Sequence, residues 1–293
     1  MTEAGVAPRD RGAASPRVRA RSPGPRGSGR LARMLVLAPN PDKAWAERYL
    51  LLTSPLWIAA VATVVLTGVL RGWDDGDYLM FSCATAAPAA LGPLLVRDRP
   101  DRHRPWWSCH WFKFNLWVAI LVAFGTYFGT AYFFDLMGMR YAFGAQWTFQ
   151  SNVVGRTGST VPVFMYPLTH AYFATYFAVL VTLDRTLRAR LRPGPIGGAL
   201  IVFALAYGIA FAETFFMATD LMTDLFHYEQ HDKMLAWGSF GYAAYFVVGL
   251  PMMRRLDEHA TDWSVGRVVI EALASCMAIL CLLEVWAQLV GPL

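Results

Sequence analysis

Cysteine is scarce in this sequence and poorly placed for cross-linking. Of the four, Cys83, Cys276 and Cys281 fall inside long apolar stretches and Cys109 in a short connection, so no disulfide framework is expected. Histidine is scarce as well. Six are scattered along the chain, which excludes the paired histidine boxes of membrane di-iron hydroxylases and desaturases. There is no Gly-x-Gly-x-x-Gly, no phosphate loop and no Ser/His/Asp elbow, which removes the usual nucleotide-binding and triad-hydrolase readings. No Asn-x-Ser/Thr sequon, lipidation signal or retrieval tail occurs, and residues 1–33 lack the apolar run of a secretory signal peptide. No internal repeat is visible, which sets the chain apart from inverted-repeat transporters.

Apolar length is what the sequence has in abundance. Seven stretches stand out: Leu50–Leu70, Tyr78–Val96, Phe114–Leu136, Val161–Leu183, Ile196–Thr219, Leu235–Met253 and Val268–Val290. Each is about 19 residues or more, enough at 1.5 Å per residue to cross a hydrocarbon core of roughly 30 Å. Backbone groups there find no water, so such runs form helices. The expected fold is an all-α polytopic integral membrane bundle of seven transmembrane helices, with the lipid bilayer as its surroundings.

Charge supports the same count. Of 26 Lys and Arg, 22 lie in the first 49 residues and in the segments 97–113, 184–195 and 254–267. The remaining connections carry only Arg71, Arg140, Arg156 and Lys233, among acids such as Asp74, Asp75, Asp77, Asp220, Asp224, Glu229 and Asp232. Short basic loops stay inside, so the N-terminus is expected to be cytoplasmic. The net charge of +5 therefore reflects membrane orientation, and nucleic acid is excluded as a partner. Residues 1–35 read as a disordered, Arg/Pro/Gly-rich cytoplasmic arm, and 36–293 as one membrane-embedded domain.

Five ionisable residues lie within the spans: Asp135, His170, Glu213, Glu271 and Glu284. At membrane depth such groups face a protein interior or a wet cavity. Glu271 stands four residues from Arg267 and reads as an ion pair. Counting along the spans puts Asp135, His170, Glu213 and Glu284 all in the outer half, on four helices, which suggests one shared polar pocket. Glu284 also stands four residues from Gln288, so a hydrogen-bonded pair is an equal reading. Asp135 is near enough to the interface to be solvated, and His170 alone could be a packing histidine. Glu213 is hardest to explain structurally, because no basic residue lies within a turn of it. A carboxyl in apolar surroundings without a cation persists as the neutral acid, a form able to donate a proton.

Aromatic rings crowd the same depth, with Tyr127 and Tyr132 in the third span and Tyr172 and Tyr176 in the fourth. Interface belts and packing account for single rings; together they could line a flat apolar ligand or face a carbocation. His227 and His231, among Asp224, Glu229 and Asp232, have a chelating i,i+4 spacing if their loop is helical; a solvated face explains them equally, and no metal is assigned. Gly125 and Gly129 form a small-xxx-small pair of the kind that packs helices.

Several short strings carry the reading further. Leu37-Ala38-Pro39-Asn40-Pro41 with Lys43, Trp45 and Glu47 precedes the first span. Trp111-x-Lys113-x-Asn115-Leu116-Trp117 opens the third, and Tyr132-Phe133-Phe134 with Gly138 and Tyr141 ends it. Thr169-His170, Glu213-Thr214, Tyr242-Ala243, Tyr245-Phe246, Pro251-Met252 and Asp257-Glu258 follow in order. From about residue 36 onward the sequence resembles the cycloeucalenol cycloisomerase family. The Arg-rich arm and the segment 145–159 depart from that pattern, and the His227/His231 pair is no part of it.

That resemblance implies sterol biosynthesis: opening of a 9β,19-cyclopropyl sterol, cycloeucalenol, to the Δ8 sterol obtusifoliol, with no redox cofactor or metal. Protonation of the cyclopropane methylene creates positive charge at ring carbon nine, and loss of the proton on carbon eight forms the double bond. Depth and chemistry assign Glu213 as proton donor and His170 as base or relay, with Glu284 or Asp135 in support. Tyr127, Tyr132, Tyr172 and Tyr176 become candidate sterol-facing rings, and Asn115 and Trp117 candidate anchors for the sterol's other end. The expected partners are the sterol substrate and other sterol-biosynthesis enzymes. The Ala/Arg/Gly-rich composition fits a bacterial inner membrane; in a eukaryote the endoplasmic reticulum would be the site. Two other readings stay open, another sterol double-bond isomerase of the emopamil-binding kind and a non-catalytic sterol-binding or transport protein.

Overall fold

The computed structural model describes residues 35–152, 158, 160–259 and 262–291. All but the last residue of the expected arm lie outside them. Among the described residues, seven helices of 16 residues or more follow one another: α1 (Pro41–Thr67), α2 (Asp75–Ala90), α3 (His110–Met137), α4 (Met165–Leu191), α5 (Pro195–Met217), α6 (His231–Arg255) and α7 (Val265–Val290). Short antiparallel ladders fill two connections. Strand β1 (Met139–Tyr141) pairs with β4 (Phe226–Tyr228), and β2 (Thr148–Phe149) with β3 (Val161–Pro162). The chain is a multi-pass helical membrane protein.

Local chemistry sets the helix ends. Asn40 caps α1 by accepting the Asp42 amide at 3.0 Å, and Pro41 supplies a ready-made first turn. The helix therefore begins nine residues before the apolar run at Leu50. Gly68, at φ 68°, ends it in the left-handed conformation that glycine adopts freely. Asp74 and Asp77 make a reciprocal capping box on α2. The fourth apolar stretch begins late as a helix, because Val161 and Pro162 are spent in β3.

Five helices are long and apolar enough to cross a membrane by composition alone: α1, α3, α5, α6 and α7. Helix α2 is short at 16 residues. Helix α4 has the length, but Thr169, His170, Tyr172, Thr175 and Tyr176 dilute its hydropathy. The reason is its position. It packs against α1, α2, α3, α5 and α6, so its polar groups meet protein. Thr175, for instance, lies 2.8 Å from both the Ser54 hydroxyl and the Trp57 indole nitrogen of α1.

The four basic segments gather at one end, in a layer of ion pairs. Lys43 lies 2.9 Å from Glu258 and donates to the backbone carbonyls of Met253, Arg254 and Leu256 at the end of α6. Arg185 bridges Glu47 and Glu258, each at 2.8 Å. Asp184 is shared by Arg188 and Arg254 at 2.7 and 2.9 Å. This layer fixes which ends of the helices meet. The opposite end carries the β1/β4 ladder, buttressed by Arg140 at 3.0 Å from Glu229.

Candidate functional site

A cavity lies between α3, α4, α5 and α6, beneath β1 and β4, with about 750 Å³ of atom-free space that includes its opening to the surroundings. Helix α4 presents Met165, Thr169, Tyr172 and Phe173 to it, a single face at i, i+4, i+7 and i+8. Met139, Tyr141, Phe226 and Tyr228 cap one end. The rest of the wall is mostly apolar or aromatic, with Thr126, Thr130 and Thr214 as scattered hydroxyls.

Glu213 of α5 is the carboxyl on this wall. Tyr242 of α6 and Tyr176 of α4 bring hydroxyls close to it. Its Oε2 is buried and makes no hydrogen bond among the described residues. The rings around the cavity interlock: Phe133 meets Tyr242 edge-on at 5.5 Å, and Tyr242 lies 6.0 Å from Tyr245. Thr169 and Tyr172 form a hydroxyl pair at 2.9 Å.

The four outer-half residues expected to share a pocket do not converge. His170 is turned away from the cavity, and its Nε2 meets Asn115 Oδ1 at 2.8 Å. Asn115 in turn donates to the carbonyls of Ala89 and Trp111 at 3.0 and 2.8 Å, tying α4, α3 and α2 together. Glu284 is exposed on α7, where it accepts from Gln288 at 3.1 Å and from Tyr132 at 3.5 Å. Asp135 is half-buried on α3, off the cavity wall.

The aromatic candidates divide in the same way. Tyr172 lines the cavity and Tyr176 stands beside Glu213. Tyr127 packs on Phe128 at 4.8 Å, and Tyr132 joins Glu284 outside. Trp117 is fully buried in the core, edge-on to Phe177 at 5.1 Å. Sequence reasoning gave Tyr141, Tyr228, Tyr242 and Tyr245 no role at the site. Three of them stood in the resembling strings, the only signal that could have found them.

Glu271 pairs with Arg267 at 3.6 Å as its spacing suggests, and with Arg255 at 2.9 Å as well. His227 and His231 do not share a helix, since His227 lies on β4 and His231 opens α6. His231 instead bonds Asp232 and the Ala218 carbonyl. Among the described residues no three His, Cys, Asp or Glu side chains are grouped to hold a metal ion.

Fold and site together define a polytopic membrane protein with one acid set in an aromatic-lined interior cavity. A curated relative, the cycloeucalenol cycloisomerase of Arabidopsis thaliana, is 32% identical over 273 residues, covering 91% of this chain and 93% of its own. The chain belongs to the cycloeucalenol cycloisomerase family. No family model and no solved structure matches it.

Proposed function

We propose that this protein is a sterol isomerase that opens the 9β,19-cyclopropane ring of a cycloeucalenol-type 4α-methyl sterol to give the Δ8 sterol. The observation that carries the reading is Glu213, a carboxyl with a buried, unbonded oxygen on the wall of a cavity otherwise built of rings and hydroxyls. The family relationship supplies the substrate class.

Glu213, as the neutral acid, gives its proton to the cyclopropane methylene while the bond from that carbon to carbon nine breaks. The methylene becomes the angular methyl, and carbon nine carries the positive charge. Faces of Phe133 and Tyr242 provide negative quadrupole density around the developing cation, and the mostly apolar lining disfavours water beside it. Loss of the proton on carbon eight then forms the double bond. The carboxylate that Glu213 has just become is the base at hand, since His170 is engaged with Asn115 away from the wall. One group thus serves both steps, and the acid is regenerated.

The test is an assay of membranes containing the protein with a cyclopropyl 4α-methyl sterol in deuterated water, read by mass spectrometry. A Δ8 product with deuterium in its new angular methyl is the expected result. Unchanged substrate in the presence of folded protein would reject the reading.

A further inference from the structure

The helix directions separate the two ends of the cavity. Leu121 and Val122 of α3, Phe173 of α4 and Tyr245 of α6 lie on the side toward the basic layer, opposite the β1/β4 cap. They form a floor, and Tyr245 is its largest polar member.

Tyr245 is held in place by two missing side chains. Gly125 and Gly129 bound a π turn within α3, and the tyrosine ring lies along the groove they leave. A Cβ on Gly129 would overlap the Tyr245 hydroxyl oxygen and stand 3.2 Å from Cζ. A Cβ on Gly125 would stand 2.8 Å from Cε1. Phe133 at 5.8 Å and Phe173 at 6.0 Å crowd the ring on other sides. The open space beside it is the cavity, so a ring driven from the groove moves into the ligand's volume.

We infer that Tyr245, seated by Gly125 and Gly129, is a specificity-determining residue that sets how long a sterol the cavity admits. The inference rests on the reading of this cavity as the sterol site. The glycine pair, which in sequence looks like a helix-packing motif, acts here as a positioning device for a ring.

Binding tests this apart from turnover. Purified full-length protein in nanodiscs is titrated with dehydroergosterol, a fluorescent sterol with a full side chain, and the complex is then displaced by a steroid lacking that chain. Gly129→Ala weakens dehydroergosterol binding by about tenfold or more, the scale of overpacking by one methyl. It leaves the shorter steroid's affinity nearly unchanged, because a shortened cavity excludes length and not rings. Gly129→Ala/Tyr245→Phe returns binding to that of Tyr245→Phe alone, since the overlap is with the hydroxyl oxygen. Gly125→Ala, whose clash is with Cε1, is not rescued by Tyr245→Phe. If Gly129→Ala alone fails to fold, binding by the double variant still supports the inference.

Equal weakening for both steroids, or no rescue in the double variant, would overturn it. Wild-type protein that binds dehydroergosterol but converts no cyclopropyl sterol would reject the isomerase reading and leave this inference intact. Wild-type protein that binds no sterol would remove both.

Discussion

Lys113 Nζ lies 2.8 Å from Asp257 Oδ2, and each side chain is only 1% exposed. The pair joins the start of α3 to the connection after α6, on the layer that holds the basic ends of the helices together. Asp257 also lies 3.4 Å from His110 and accepts the Trp263 amide at 2.6 Å, so its carboxylate is fully engaged. Removing one partner of a buried, hydrogen-bonded pair strands the other charge. Asp257→Ala should destabilise the protein by about 3–5 kcal/mol, read as a fall in thermal midpoint in detergent. A loss near zero would show that the layer is not structural.

The same layer predicts an acid response. Burial opposes the charge on Asp257 and Glu258. Hydrogen bonds and charges from His110 and Lys113 at the first, and from Arg185 and Lys43 at the second, outweigh it and hold both at about 2. These values lie below the ordinary 3.8 and 4.5, so the stabilisation is fully present above about pH 4.5 and is lost as pH falls through 2. The thermal midpoint of the wild type should drop over that window, and Asp257→Asn/Glu258→Gln should flatten the drop. Parallel curves for the two proteins would place the acid sensitivity elsewhere.

His170 is a tie between helices in this structure. His170→Ala leaves Asn115 Oδ1 without its partner, which should cost about 1–3 kcal/mol of stability. Turnover by the folded fraction should stay within a few-fold of wild type. Loss of activity in a protein of unchanged stability would restore His170 to the base role.

A single shuttling carboxyl makes a labelling prediction. Substrate carrying deuterium on carbon eight, turned over in ordinary water, should give some product with deuterium in the angular methyl. That label can return only if the acid that takes it up donates it again before exchange. Its complete absence across pH and temperature would argue for a separate base.

Much of this architecture was legible in the sequence. The seven helices follow from apolar length, and the gathering of four segments at one end follows from where Lys and Arg fall. The helix starts were less legible, because Asn40 and Pro41 extend α1 beyond its hydrophobic run. Depth can be counted, and the lack of a nearby base singles out Glu213, which the structure places on the cavity wall. Azimuth cannot. A polar residue's distance along a span says nothing about which side it faces, and His170 and Glu284 point away from the cavity that Thr169 and Tyr172 line. Many residues of the resembling strings fall in space into one of two groups. Asn40, Lys43, Glu47, Lys113, Asp257 and Glu258 build the ionic layer, while Phe133, Tyr141, Thr169, Glu213, Thr214, Tyr242 and Tyr245 build the cavity. Nothing in linear spacing announces that division, since each group is assembled across several helices.

The most direct test of the account is Glu213→Gln, an isosteric change that keeps the side chain's shape and removes its acid. Sterol conversion should fall by about 100-fold or more, the usual scale for a general acid, while dehydroergosterol binding and thermal midpoint stay close to wild type. A Gln variant that converts sterol at the wild-type rate would contradict the assignment of Glu213 and, with it, the proposed chemistry of the cavity.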